Sequence, residues 1–351
     1  MARRRPALLA VGLVLAACSS SEPTAEPAPS SPSTTTTTEA ADAAAWAAID
    51  EALAGLGPQV GFLAAEVTDG SCAPVHAVTP EVARPTASQF KLFVLGALAG
   101  EVAAGPVAWD DDVVVHGADK SLGNAEGTGS LQFVADGTPV PVEEAATKMI
   151  AISDNTATDL LIDLVGRDVV EARAAEWMAD ATANVPFLTT RQMILLHYAE
   201  GLGDRYLATA PDDRAAFLAT EVDPLPLEAA ATGYTTEPRF VEAIEWFGSP
   251  ADVCRALAGL QAQAGEPAGA ALDGILSEND AGIGLAPEDW PTVWYKGGSE
   301  PGVLTMGWLA TNADGATFVV QAMVTDPDAP LAEEAITELV GLAGDAFALL
   351  G

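Results

Sequence analysis

Ser88-Gln-Phe-Lys-Leu-Phe-Val-Leu-Gly-Ala-Leu98 is the stretch on which the reading of this chain turns. It is so apolar that it must be buried on almost every side, and it predicts a central core helix. On a helix Ser88 and Lys91 stand three residues apart and share one face. A lysine held in such surroundings is costly while charged, so its pKa falls. A neutral amine beside a hydroxyl can take the hydroxyl's proton, which makes a serine a nucleophile without histidine. Lysine is also scarce, being confined to Lys91, Lys120, Lys148 and Lys296.

Two further groups extend this pattern. Ser153-Asp154-Asn155 falls in a break between two apolar helical segments, Pro141–Ile152 and Thr156–Val165. Asp and Asn there are good helix caps, and a serine hydroxyl and an asparagine amide on one loop can face a cleft. Lys296-Gly297-Gly298-Ser299 follows a strand read over Val293–Lys296 and predicts a strand end entering a glycine turn. Small residues there let a substrate's backbone lie along a strand edge. Lys296 supplies a local cation on a chain with 50 Asp and Glu against 15 Lys and Arg and a net charge of −35.

In this order the three groups resemble the motifs of the serine β-lactamase and penicillin-binding superfamily, Ser-x-x-Lys, Ser-Asp-Asn and Lys-(Thr/Ser)-Gly. The resemblance runs over about Ala43–Gly351. In detail, Ser88–Leu98, Met149–Asp159 and Lys296-Gly-Gly-Ser-Glu-Pro-Gly-Val look like actinobacterial lipoproteins related to the cephalosporin-esterase-like protein of clavulanic acid biosynthesis. The resemblance implies that Ser88 attacks a carbonyl, Lys91 accepts its proton and Ser153 relays a proton to the leaving group. It implies that Asn155 holds a substrate amide and Lys296 pairs with a substrate carboxylate. Gly298 and Ser299 would line the substrate, with the backbone N–H groups of Ser88 and Ser299 forming the oxyanion hole.

Two departures qualify the resemblance. Gly297 stands where the third motif usually has a hydroxyl. The Glu-x-x-Leu-Asn loop that supplies the deacylating acid of class A enzymes has no counterpart before Thr189-Thr190. Asn184-Val-Pro-Phe-Leu occupies its place, and Glu171 and Glu176 read as a solvated helix face. The expectation is a serine hydrolase acylated by a β-lactam or a related ester or amide, slow to release the acyl group. The alternatives are a D-Ala-D-Ala cell-wall peptidase and a non-enzymatic β-lactam-binding lipoprotein. No cofactor is expected, and His76, His116 and His197 are too isolated for a metal site or a Ser-His-Asp triad.

The rest of the chain gives context. A pI of about 4.1 argues against a nucleic-acid partner. Arg3-Arg4-Arg5, the apolar run Ala7–Ala17 and Cys18 predict a lipoprotein signal peptide over 1–17, with Cys18 lipidated at the cell envelope. Residues 18–42, rich in Ser, Thr and Pro, read as a disordered tether. No second apolar stretch reads as a membrane segment. Cys72 and Cys254 then meet an oxidising compartment, where they are either a disulfide or two unpaired buried thiols. Strands at Gln59–Val67 and Ala73–Val78, strands at Val303–Thr311 and Thr317–Thr325, and a final helix Ala329–Leu350 enclose a helical middle. The fold class is α+β: one antiparallel sheet from both chain ends with an inserted all-helical region, in a domain of residues 43–351. Phe217–Glu245 reads as extra sequence able to cover the cleft, and a monomer is expected.

Overall fold

The computed structural model describes residues 34–122, 130–231 and 233–351. Cys18 and the signal peptide lie outside these residues.

Helix α1 (Thr34–Leu56) leads into β1 (Gln59–Thr68), a tight turn at Asp69-Gly70, and β2 (Ser71–Val78). The chain returns to the same sheet only near its end, as β3 (Thr292–Glu300), β4 (Val303–Thr311) and β5 (Thr317–Thr325). The strand order is β2-β1-β5-β4-β3, antiparallel throughout. Strands β4 and β5 are central and buried almost end to end, so they read as continuous apolar runs rather than as an alternation. Pro74 sits in β2 on the sheet edge, where its missing N–H costs no ladder bond.

The two faces of the sheet are covered differently. On one face, Trp46, Ile49 and Leu53 of α1 and Leu339, Ala343 and Phe347 of α8 (Ala335–Leu350) pack on Phe62, Trp308 and Val320. The other face carries the helical region: α2 (Lys91–Ala104), α3 (Val142–Ala151), α4 (Asn155–Val165), α5 (Arg167–Trp177), α6 (Thr190–Tyr198) and α7 (Pro250–Ala264). Helix α7 starts as its sequence demands, with Ser249 and Asp252 forming a capping box and Pro250 at its first position. Cys254 on α7 is bonded to Cys72 on β2, joining residues 182 apart. A closure of that length stabilises a fold by roughly 2–5 kcal/mol.

Several boundaries differ from the sequence reading. The helix read from Ala43 begins at Thr34, inside the stretch read as a tether, because each residue added to an already formed helix gains a backbone hydrogen bond. The last helix starts at Ala335 rather than Ala329. The strand read as ending at Lys296 runs on to Glu300. Gly297 and Gly298 therefore lie within an edge strand, not in a turn, and pair with Met306 and Thr305 of β4. The segment Ala87–Ala104 is long and apolar enough to cross a membrane, contrary to the sequence reading. Here it is the core helix of the folded domain, with Leu92 to Ala99 buried against protein.

Candidate active site

Ser88 lies in a single 3₁₀ turn, Ala87–Phe90, that feeds directly into α2. The turn is entered through Ala87 at φ 41°, a conformation costly for a residue with a Cβ. The turn is held in place by buried amides. Gln89, an unassigned position of Ser-x-x-Lys, donates to the Lys296 carbonyl at 2.9 Å and exchanges two hydrogen bonds with Gln321 of β5. Thr305 Oγ1 donates to the Thr86 carbonyl at 2.9 Å. The first and third motifs are thus tied through the sheet, a role that only a polar residue inside an apolar run could have signalled.

Lys91 is fully buried. Its Nζ lies 3.1 Å from Ser88 Oγ, 2.9 Å from Ser153 Oγ, 2.8 Å from Asn155 Oδ1 and 2.7 Å from the Ser153 carbonyl. Burial pushes its amine down to about 7, against the opposing pull of Asp159 and Asp154. Lys296 is also buried, donating to Ser153 Oγ at 3.2 Å and to the Gly297 carbonyl. Desolvation, and then the charge of Lys91, hold it well below an ordinary lysine.

The Ser153-Asp154-Asn155 break divides its labour. Ser153 sits at φ 56°, which turns its hydroxyl to the two lysines. Asp154 faces inward. It caps α4 by accepting from Ala157 N at 3.0 Å, and it also accepts from the backbone N–H of Ser130 and Leu131. Asn155 also makes contacts within the protein: Nδ2 donates to the Leu122 carbonyl at 2.7 Å while Oδ1 accepts from Lys91. Its amide thus positions Lys91, and the residue also lines the pocket beside Ser88.

Ser88, Ser153 and Ser299 are shared by two adjoining pockets. One is lined by Asn155, Thr190, Tyr198, Tyr234, Trp246 and Glu300, the other by Ile152, Tyr295, Lys296, Gly298, Met306 and Ile336. Tyr234 belongs to the Phe217–Glu245 segment and packs against Tyr198 in a tilted arrangement, with ring centroids 5.2 Å apart. That segment does reach the cleft. Gly298 is forced by close approach: a Cβ there would lie 2.5 Å from Ser88 N and 2.6 Å from the Thr86 carbonyl.

Glu171 and Glu176 are absent from the lining of both pockets. Glu171 accepts from Phe187 N at 2.8 Å, and Glu176 pairs with Arg173 at the surface. Glu300 is the one acid among the described residues that line the cleft. Burial raises it to about 8. Its neighbour Glu245, buried and raised by desolvation and by Glu300, accepts from the backbone N–H of Trp246 and of Ala87. Neither glutamate stood out in the sequence, because their proximity joins the end of β3 to a loop.

Two carbonyl-reactive features therefore coincide: a serine hydroxyl touching a buried amine, and a second hydroxyl bridging two lysines. The sequence model of the beta-lactamase enzyme family matches residues 44–347. The chain belongs to that family. Its fold is that of solved serine β-lactamases and penicillin-binding proteins. A β-lactamase from Sphaerobacter thermophilus is 24% identical with a TM-score of 0.58, covering 87% of this chain and 95% of its own. The acyl-enzyme complex of a PBP-A mutant with penicillin G is 17% identical at a TM-score of 0.58, covering 88% and 96%. A β-lactamase from Francisella tularensis is 13% identical at 0.60, covering 88% and 100%. No curated protein matches the chain.

Proposed function

We propose that this family member is acylated at Ser88 by β-lactams or by related esters and amides that carry an anionic group near the scissile carbonyl. The observation that carries this reading is Lys91 Nζ at 3.1 Å from Ser88 Oγ and 2.9 Å from Ser153 Oγ. As the neutral amine, Lys91 takes the Ser88 proton while Oγ attacks the carbonyl. Ser153 passes a proton to the leaving nitrogen or oxygen and is reprotonated from the lysines on either side of it. The backbone N–H groups of Ser88 and Ser299 receive the oxyanion, and Lys296 attracts the substrate carboxylate.

Release of the acyl group is slow on this reading. Glu300, held neutral near pH 7 by burial, is a poor base for activating water. The activity is that of a slow β-lactamase or esterase rather than of an efficient penicillinase. Intact-protein mass spectrometry after exposure to penicillin G tests both halves. A mass gain equal to the drug, absent in Ser88→Ala and persisting for minutes or longer, is expected. No adduct and no turnover would remove the reading.

We further propose that Cys18 carries a lipid and that the protein works at the cell envelope. The basic, apolar and cysteine-terminated start of the chain supports this. Transfer of the protein from the membrane fraction to the soluble fraction in Cys18→Ala cells is the expected result, and unchanged fractionation would count against it.

A further inference from the structure

The third motif lacks its hydroxyl at Gly297, and the strand itself holds a replacement. Tyr295 and Gly297 are two apart on β3 and so point to the same side. A Cβ on Gly297 would lie 2.0 Å from Tyr295 Oη and 2.8 Å from its Cζ. The phenol therefore fills the volume that a threonine side chain would use. Its ring is steadied by Trp308, the cross-strand partner of Tyr295, with centroids 5.1 Å apart. Tyr295 lines the pocket that also holds Ser88, Ser153 and Lys296.

We infer that the Tyr295 hydroxyl does the work of the missing motif hydroxyl, donating a hydrogen bond to the substrate carboxylate that Lys296 attracts. The inference rests on the reading of Ser88 as acylated by an anionic substrate. Burial drives the phenol's pKa upward, so it stays a donor across the working range. The same contact explains the glycine: a side chain at 297 and the phenol at 295 compete for one place. Tyr295 and Gly297 are thus one exchange, not two unrelated departures.

The test compares acylation by nitrocefin, which bears a carboxylate, with acylation by p-nitrophenyl acetate, which does not. Tyr295→Phe keeps the ring against Trp308 and removes only the hydroxyl. Its kcat/KM for nitrocefin should fall roughly 10-fold or more, mainly through KM, as expected for a lost hydrogen bond to a charged group. Its rate with p-nitrophenyl acetate should stay within about twofold of wild type. Tyr295→Ala should lose nitrocefin turnover similarly, and adding Gly297→Thr to it should restore much of the loss by returning a hydroxyl to the vacated volume. Equal rates for wild type and Tyr295→Phe, equal losses on both substrates, or no recovery in the double variant would overturn the inference while leaving Ser88 acylation standing. A wild-type protein inert to both substrates would overturn the acylation reading and this inference with it.

Discussion

Lys91 and Lys296 converge on one oxygen, their Nζ atoms standing 2.9 and 3.2 Å from Ser153 Oγ. Two ammonium groups on one hydroxyl repel each other and both lack water, so the site favours losing a proton. That shared hydroxyl is what lets the amine that activates Ser88 communicate with the leaving group.

The pH dependence of acylation follows. The reactive form of Lys91 is the neutral amine, and its pKa lies at about 7. Below that value the base is blocked by its own proton; above it the base is free. The acylation rate should therefore climb by about tenfold per pH unit on the acid side and level off above neutrality. Stopped-flow acylation by nitrocefin across this range checks it. An inflection near the ordinary lysine value would show that Lys91 is not the base.

Ser153 and Asp154 should separate chemistry from stability. Asp154 accepts from three backbone N–H groups on two segments. Asp154→Ala leaves them buried without partners and removes a helix cap, which should cost roughly 2–4 kcal/mol in urea unfolding. Ser153→Ala removes a hydroxyl facing the cleft. It should leave unfolding nearly unchanged and slow acylation by about 10²-fold or more. Matching effects of the two variants in both assays would contradict this division.

The Ser88–Leu98 run announced its burial, and the three motifs announced one site, because each carries local composition that short segments express on their own. The strands of β1, β4 and β5 were legible for the same reason. The strand through Gly297 and Gly298 was not, since glycine is a turn residue by propensity and is used here for close approach to Ser88 and to the Tyr295 phenol. Asn155 reads from its motif only as a ligand contact, because sequence does not reveal that its amide also joins the Leu122 carbonyl to Lys91. The Glu245–Glu300 pair and the Gln89–Gln321 amides are long-range meetings that topology alone creates.

Glu300 and Glu245 should make stability fall with rising pH. Burial raises Glu300 from 4.5 to about 8 and raises Glu245 as well. The folded chain therefore holds protons that the unfolded chain has released, and stability is lost as pH rises through that window. Glu300→Gln should match wild type in calorimetric Tm near the lower limit and exceed it by a few degrees near the upper one. A variant that is no more stable than wild type on the alkaline side would refute the pairing.

Gly298 should be the least replaceable residue of the third motif. Its missing Cβ faces backbone atoms, 2.5 Å from Ser88 N and 2.6 Å from the Thr86 carbonyl, and neither can swing aside as a side chain could. Gly298→Ala must push β3 away from the Ser88 turn, widening the gap between the Ser88 and Ser299 N–H groups. Loss of one oxyanion donor typically costs about 10²–10³ in rate, so acylation by both nitrocefin and p-nitrophenyl acetate should fall by that order. The loss on both substrates distinguishes it from Tyr295→Phe, whose effect depends on the carboxylate. Global unfolding should be affected far less, because the strand is an edge strand that pairs only with β4 and can shift without displacing a second strand. Retention of full acylation activity by Gly298→Ala would mean that the oxyanion is held elsewhere.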